Sequence, residues 1–279
     1  MNTAKLLRAK ARAVSTTGES GCLKTTNWNA LARAISEASF DRGLMDRVAT
    51  VRKLVPGRIV FTTSFGIEGQ AIAHAIFRQD LGIEVVTIDT GRLFTETYEL
   101  WAQTERRYGR RISAVYPDRV SVESLVASQG IDGFYTSVAA RRACCTIRKV
   151  EPLQRALRGA AAWIAGLRAD QSDERAGIRA AAIDPHHQLI KVNPLFDWTR
   201  ERVLSFIREH GIPYNILHDR GFASIGCAPC TRAIAPGDPE RAGRWWWEHE
   251  QKKECGLHRD HYSRTRPARS ENFSKEKTS

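Results

Sequence analysis

Short segments rich in β-branched residues alternate with longer amphipathic segments along the middle of this chain. The short segments lie at residues 58–64, 83–90, 111–117 and 161–167. The segments between them carry apolar residues at helical spacing, at residues 68–79, 94–109 and 120–129. Strands and helices in this alternation form a parallel sheet, because each connection crosses over through a helix. The sequence therefore predicts an α/β fold, a parallel twisted sheet with helices on both faces.

Patterning on either side of these segments extends the predicted domain. The further elements are helices at residues 27–40 and 41–55, a strand at 189–195 and a helix at 199–211. Asn29 or Asp41 is a suitable cap for the first helices, because short polar side chains bond to exposed helix amides. We expect one α/β domain over residues 25–247, between a basic extension at 1–24 and a mobile C-terminal segment at 248–279.

Composition excludes some classes of protein. The chain contains no run near the roughly 18 apolar residues of a membrane span, and its basic N-terminus lacks the apolar core of a secretory signal. A cytoplasmic protein with reduced cysteines is therefore expected, with no membrane partner. The net charge of +12 suggests nucleic-acid binding, but more than half of it lies in residues 1–24 and 258–279. The remaining Arg clusters would suit a small anion equally well.

Four of the six cysteines form two pairs that could bind a metal, and a fifth cysteine stands apart from them. Cys144 and Cys145 are adjacent, Cys227 and Cys230 form a C-x-x-C pair, and Cys255 stands apart. Four thiolates complete the shell of zinc or of an iron–sulfur cluster, which would leave Cys255 for chemistry. Adjacent cysteines reach one centre only if the backbone bends there. The alternative is two buried thiols and an incidental pair.

Polar residues follow three of the predicted strands, where ligands of open parallel sheets bind. Ser64 and Gly66 sit in a strand-to-helix turn that could cradle a phosphate or sulfate, although tight turns use such residues for shape alone. A second set follows the next strand and suits a ribose, a base or an anion, or else a capped helix start: Asp89, Thr90, Gly91 and Arg92. A third set lies either at this edge or in a solvated loop: Arg168, Gln171, Ser172 and Arg175.

Taken together, these motifs resemble the assimilatory adenosine 5′-phosphosulfate (APS) reductases. The segments that carry the resemblance are TTSFGIEGQ, TIDTGRLFTETY, CCTIRKVEPL, GLRADQSDER, GCAPCTR and ECGLH, in the family's order between about residues 45 and 258. The resemblance implies an adenine nucleotide alpha-hydrolase-like fold in which the C-terminal segment folds over the active site. It also implies thioredoxin-dependent reduction of APS to sulfite and AMP.

The resemblance assigns roles to individual residues. One 4Fe-4S cluster would be held by Cys144, Cys145, Cys227 and Cys230. The nucleotide would contact Ser64, Gly66, Asp89, Thr90, Gly91 and Arg92. The phosphosulfate would lie among Lys149, Arg168, Arg241, Arg244 and His258. The chain departs from the family at Gly69, where an acid is usual, and at Glu174, where Thr is common.

A lone thiol suits the implied reaction. Attack of the Cys255 thiolate on the sulfate sulfur would expel AMP and leave an S-sulfocysteine. Nearby cations would stabilise both the thiolate and the leaving phosphate. Reduced thioredoxin or a similar dithiol donor would then release sulfite from the intermediate.

Three alternatives are considered. Reductases of the 3′-phosphorylated nucleotide commonly lack the two cysteine pairs. A zinc-stabilised nucleic-acid-binding protein could use the seven tryptophans and the positive charge, but leaves Cys255 without a role. ATP-dependent tRNA-thiolating enzymes carry a Ser-Gly-Gly-x-Asp-Ser turn, and SFGIEG lacks its second glycine and its aspartate. APS is therefore the expected ligand and no nucleic acid is expected, while assembly into a homo-oligomer is left open.

Overall fold

A six-stranded sheet forms the centre of the protein in a computed structural model that describes residues 25–248. The strands are β1 (Ile59–Thr63), β2 (Glu84–Ile88), β3 (Ser113–Val115), β4 (Ala162–Ile164), β5 (Ala181–Asp184) and β6 (Leu189–Val192). Their order across the sheet is β3-β2-β1-β4-β6-β5. Five of the strands were predicted from the sequence, within a few residues of their observed bounds.

The sheet is parallel except at one edge. Strands β1, β2, β3, β4 and β6 pair in parallel, and β5 pairs antiparallel with β6 through a tight turn. The sequence analysis predicted no strand at β5. Ala181 and Ala182 have low strand propensity, and their pairing depends on contact with β6 instead. The predicted parallel sheet is therefore correct for its core, and the observed sheet is mixed.

Eight α-helices connect and cover the strands in the described part of the chain. They are α1 (Thr25–Glu37), α2 (Leu44–Leu54), α3 (Ile67–Arg78), α4 (Thr95–Tyr108), α5 (Arg119–Gln129), α6 (Val138–Cys145), α7 (Glu151–Leu157) and α8 (Arg200–Glu209). The two expected caps are wrong. Asn29 lies inside α1, and α2 begins after Gly43 rather than at Asp41.

Alternating residues of each central strand pack on opposite faces of the sheet. Phe61 and Ile164 point to a core shared with α1, α2, α3 and α8, whereas Val60 and Trp163 point to a second core that contains α7. This alternation follows from the two-residue period of a strand. It confirms that helices cover both faces.

Helices α6 and α7 were not predicted. A π-helical turn over Thr146–Val150 joins them, directly after Cys144 and Cys145. Such turns insert one residue into the helical ladder and shift the side chains that follow them. The helical geometry therefore changes directly after the adjacent cysteines, within a continuous helical segment, and the expected bend of the backbone stays a prediction.

The predicted domain over 25–247 lies within the described part of the chain, and its bounds stay a prediction. The basic extension at 1–24 and nearly all of the C-terminal segment, residues 249–279, lie outside the described residues. Among residues 25–248, none of the helices has the length and apolar character to cross a membrane.

Replacing Ile164 by Ala tests the central position of β4. Ile164 is fully buried between β1 and β6, so Ile164→Ala should lower the free energy of unfolding by about 2–5 kcal/mol. Val120→Ala is the control, because Val120 is 59% exposed on α5 and should change stability by less than about 0.5 kcal/mol. Urea denaturation measures both, and equal effects would contradict the assignment.

Candidate active site

A cavity of about 210 Å³ opens at the carboxyl ends of β1, β2 and β4. Its walls come from the β1–α3 turn, the β2 end, the loop after β4, the π-helical turn and residues 223–245. Ser64, Gly66 and Thr90 line it, together with three cations, Lys149, Arg241 and Arg244. The structure thus brings together six of the residues that the sequence analysis assigned to a ligand.

The β1–α3 turn places the N-terminus of α3 at the cavity. Phe65 adopts a positive φ of 59° within the turn, and its amide donates to Thr63 Oγ1 at 3.0 Å. Phe65 is fully buried and stacks on Trp101. Gly66 precedes the first helical residue and offers no side-chain cap, so the first amides of α3 lie where an anion would be favoured.

Gly69 departs from the resembled family for a steric reason. A Cβ at this position would lie 2.6 Å from Thr63 Oγ1, closer than a real contact allows. The hydroxyl of Thr63 is itself held by the amide of Phe65. Residue 69 therefore remains small because the turn that lines the cavity packs directly against it.

The loop after β2 is held by internal hydrogen bonds. The Asp89 carboxylate accepts from the Gly91 amide at 2.9 Å and from the Tyr98 hydroxyl at 2.8 Å. Burial and this bond to Asp89 raise the pKa of the Tyr98 hydroxyl. Arg148 donates to the Thr90 carbonyl at 2.7 Å and lies beside Gly91, whose φ is +70°. The loop is therefore held by its own hydrogen bonds without any contact from a ligand.

Arg92 contacts other partners in the structure. Its guanidinium donates to the Ile131 carbonyl at 2.8 Å and to Asp132 at 3.0 Å, and it stacks over Phe134. The Asp89 carboxylate, described above, is likewise engaged within its own loop. Their predicted contacts with a nucleotide stay predictions, and in this structure both residues organise the loops around the cavity.

Arg168 is enclosed by carboxylates. It is fully buried and donates to Glu68 at 2.8 Å, to Asp170 at 3.0 Å and to Glu240 at 2.6 Å. Burial opposes its charge, but Glu68 and Glu240 outweigh that effect and raise the pKa of the guanidinium. Arg168 therefore joins the elements around the cavity, and its predicted contact with a phosphosulfate stays a prediction.

Two of the three carboxylates on Arg168, those of Glu68 and Glu240, differ in their electrostatics. Burial disfavours the charged form of both. Attraction to Arg168 outweighs burial at Glu68 and lowers its pKa. At Glu240, burial and the charge of Glu68 together raise the pKa. Both residues line the cavity, and the sequence analysis assigned neither. Glu240 directly precedes Arg241, which is the one signal that could have indicated it.

Arg244 is fixed against an aromatic ring. Its guanidinium lies 4.8 Å from the centre of the Trp245 indole and donates to the Ile225 carbonyl at 3.4 Å. Gly226 permits this position, because a Cβ there would overlap with the Arg244 guanidinium. Arg241 approaches the same indole at 5.8 Å. Trp245 thus contacts two of the three predicted cations that line the cavity.

Three of the four paired cysteines pack in one aromatic cluster. Cys227 and Cys230 are buried with Phe134 and Trp245, and Cys144 packs against this group. None of the four cysteines in the two sequence pairs forms a disulfide. Burial raises the pKa of the Cys230 thiol to about 12, and nearby Cys227 adds to the rise. Cys227 also lines the cavity, with its sulfur 3.3 Å from Thr90 Oγ1.

Cys145, the fourth of the cysteines predicted to hold a cluster, is the last residue of α6. It is buried and interacts with Arg141 one turn earlier on α6. Among residues 25–248, no three His, Cys, Asp or Glu side chains lie close enough together to hold a metal ion. The soft sulfur donors of the four cysteines are nevertheless of the chemical type that holds an iron–sulfur cluster, in which metal binding replaces the thiol protons.

Cys255 and His258 lie outside the described residues. Their roles as nucleophile and phosphosulfate ligand therefore remain predictions. Another residue that lines the cavity was missed, namely the half-buried His218. Desolvation lowers the pKa of His218 and so favours its neutral form, and Nδ1 lies 2.8 Å from the Phe222 carbonyl. The flanking sequence LHD gives no motif by which it could have been recognised.

Comparison with known proteins identifies the class. The profile of the phosphoadenosine phosphosulfate reductase domain matches residues 58–233, which include the cavity's strand ends and both cysteine pairs. The chain belongs to this family. A crystal structure of phosphoadenylyl-sulfate (PAPS) reductase from Candida auris, a phosphate complex, superposes with a TM-score of 0.62 at 25% identity. The match covers 77% of this chain and all of that one.

Curated relatives are more similar in sequence. A protein named adenosine 5′-phosphosulfate reductase from Sinorhizobium fredii (strain USDA 257) is 51% identical over 236 residues, which is 85% of this chain and 94% of the relative. Proteins of the same name from Rhizobium meliloti and Allochromatium vinosum are 54% and 52% identical, over 77% and 75% of this chain and 81% and 82% of their own lengths.

Replacing Gly69 by Ala tests the packing beneath the cavity. The added methyl group should collide with Thr63 and lower the free energy of unfolding by about 1–3 kcal/mol, although Ala is the better helix former. Gly177→Ala is the control, since a Cβ there meets nothing within 4 Å. Thermal and urea denaturation would measure both variants. Equal stability of Gly69→Ala and wild type would show that the turn accommodates a larger residue.

Proposed function

We propose that this chain reduces adenosine 5′-phosphosulfate to sulfite and AMP with electrons from a dithiol. The observation that carries the proposal is one cavity lined by Lys149, Arg241 and Arg244. Cys227 also lines this cavity and belongs to the thiol cluster, the group of Cys144, Cys227 and Cys230 that packs with Phe134 and Trp245. A phosphosulfate is a compact polyanion and requires several cations at close range. Further support comes from the relatives at about 50% identity, whose name specifies this nucleotide.

The cavity suggests how the nucleotide would lie. The phosphosulfate end would face the cations of residues 149 and 241–244, and the first amides of α3 would bind phosphate oxygens. Thr90 and Ser64 are short hydroxyl donors suited to the sugar or base. The loop holding Thr90 is rigid through Asp89 and Arg148, so little ordering would accompany binding.

We further propose that Cys144, Cys145, Cys227 and Cys230 hold one 4Fe-4S cluster. Packing of three of these thiols in one buried group supports the assignment, as does the π-helical turn beside the adjacent pair. When bound, the cluster would contribute charge beside Lys149 and join α6 to the 227–230 turn. The chemistry proposed below does not require electrons from it.

Cys255 is the proposed nucleophile. Its thiolate would attack the sulfate sulfur, so that a sulfur–sulfur bond forms while the bond from sulfur to the bridging phosphate oxygen breaks. AMP leaves with that electron pair, stabilised by the cations of the cavity. The product is an S-sulfocysteine.

A dithiol of the thioredoxin type would complete the cycle. Its first thiolate would attack Cys255 Sγ and release sulfite, and its second thiol would resolve the mixed disulfide, returning the Cys255 thiolate. The donor is thereby oxidised to a disulfide. The free cysteines of the enzyme need a reducing compartment, and we therefore assign the reaction to the cytoplasm.

Reduction of the 3′-phosphorylated nucleotide is the second candidate. The matched domain family carries that substrate in its name, and the C. auris reductase shares the fold. Sulfite release from each nucleotide, with thioredoxin as reductant, distinguishes the two. We expect the APS rate to exceed the other by at least an order of magnitude. A faster rate with the 3′-phosphorylated nucleotide would overturn the substrate assignment.

The Cys255→Ser variant separates chemistry from binding. Without the thiolate the variant should lose sulfite formation. It should retain nucleotide affinity, because Cys255 is assigned neither to nucleotide binding nor to the cluster. Mass spectrometry of wild-type protein mixed with APS, without reductant, should show one added SO₃ group on Cys255. Normal turnover in the variant, or an SO₃ group on another cysteine, would contradict the mechanism.

Metal content tests the cluster and the zinc alternative together. Cys230→Ser should lose iron, acid-labile sulfide and visible absorption, because three thiolates leave the cluster incomplete. Cys22→Ser is the control and should keep full iron, since the sixth cysteine belongs to neither pair. Colourless wild-type protein with one zinc per chain would instead favour the zinc-stabilised binding protein.

A further inference from the structure

Residues 231–248 supply two cations to the cavity but have little regular structure. Within this described stretch, the backbone forms turns and one isolated bridge between Thr231 and Arg244. Two further backbone bonds flank this bridge: the amide of Arg232 donates to the Gly243 carbonyl at 3.1 Å, and the amide of Trp245 donates to the Cys230 carbonyl at 3.2 Å. Neither a helix nor a strand ladder holds the stretch, so side-chain contacts act together with these few backbone bonds to position its arginines.

One such contact anchors the stretch to the sheet. Glu240 bonds to the buried Arg168 at 2.6 Å, and its other oxygen lies 3.7 Å from Arg200 on α8. Arg168 follows β4 and also bonds to Glu68 on α3. Glu240 directly precedes Arg241, and its contacts tie this part of the stretch to two walls of the cavity. Arg168 compensates the negative charge of Glu240.

A second contact anchors the stretch to the cysteine helix. Both oxygens of Glu248 accept from Arg141, at 2.7 and 2.8 Å, and neither side chain is more than 2% exposed. Arg141 lies one turn before Cys145 on α6, and its guanidinium is 4.7 Å from the Trp245 ring. Bidentate pairing of this kind fixes orientation as well as distance.

The two anchors flank the residues that meet the ligand. Arg241, Arg244 and Trp245 all lie between Glu240 and Glu248 in the sequence and all line the cavity. Cys255 follows Glu248 by seven residues, which span at most about 25 Å when fully extended. The position of Glu248 therefore limits how far from α6 the thiol can lie.

We propose that Glu240 and Glu248 are positioning residues with separable tasks, an inference that rests on the proposed APS reductase function. Glu240 holds Arg241 and Arg244 at the anion site through Arg168. Glu248 holds the start of the C-terminal segment against α6 through Arg141, and so fixes the point from which Cys255 must reach the sulfate sulfur. Neither carboxylate takes part in bond making.

Charge-removing variants test the division of tasks. Glu240→Gln keeps the side-chain size and should raise KM for APS about tenfold or more, with kcat within about threefold of wild type. Glu248→Gln should lower the rate constant of Cys255 sulfonation at saturating APS about tenfold or more, with AMP affinity within about twofold. Glu123→Gln removes an exposed pair with Arg119 and should change none of these quantities.

The readouts distinguish positioning from loss of structure. Partial unfolding would lower the fraction of Cys255 that reacts, whereas mispositioning lowers the rate constant of the fraction that does. Iron content should stay at the wild-type value in both variants. If Glu248→Gln does not fold, Glu248→Asp keeps the charge but shortens the reach, and it should show a smaller decrease in the same rate constant.

Two results would overturn the inference. Wild-type KM in Glu240→Gln would remove the task assigned to Glu240, and an unchanged sulfonation rate constant in Glu248→Gln and Glu248→Asp would remove that of Glu248. Either result with active wild-type enzyme leaves the proposed function standing. Absence of sulfite release from APS by wild-type protein would instead refute the proposed function.

Discussion

The buried guanidinium of Arg168 is the contact on which the cavity depends. A guanidinium in the interior is stable only when carboxylates surround it, because the charge loses its hydration. Glu68 on α3 and Glu240 in the C-terminal part of the domain meet this need from different directions. The first turn of α3, the end of β4 and the residues before Arg241 must therefore converge. The space between them is the candidate active site.

Positive side chains outnumber carboxylates around the cavity, which favours an anionic ligand. The cations that line it are Lys149, Arg175, Arg241 and Arg244, and the carboxylates are Glu68 and Glu240. Both carboxylates already contact Arg168, so their repulsion of an anion is reduced. Burial of Arg244 against an indole further limits its freedom, which lowers the ordering cost when a ligand binds. The same indole belongs to the thiol cluster, so the two parts of the site share a wall.

Periodicity predicted most of the fold, but it failed for elements that tertiary contacts stabilise. The central strands bury both faces and therefore read as short β-branched runs, which made them recognisable. Strand β5 depends on its pairing with β6, and α6 carries five Ala and Arg residues in a row directly before the cysteines, at Ala139–Ala143. Apolar residues at regular spacing were missing in both, so neither gave a periodic signal.

The sequence by itself determined the parallel core of the sheet, and it predicted a set of four thiol donors and a group of residues to meet an anion, because strand patterning and cysteine spacing are local properties. Only the tertiary structure decided which charges face the ligand and which hold the walls together. Arg168 and Arg244 are both arginines near polar motifs, yet one is enclosed by carboxylates and the other lines the cavity. That difference arises from residues up to 100 positions away, Glu68 for Arg168, and no local pattern encodes it.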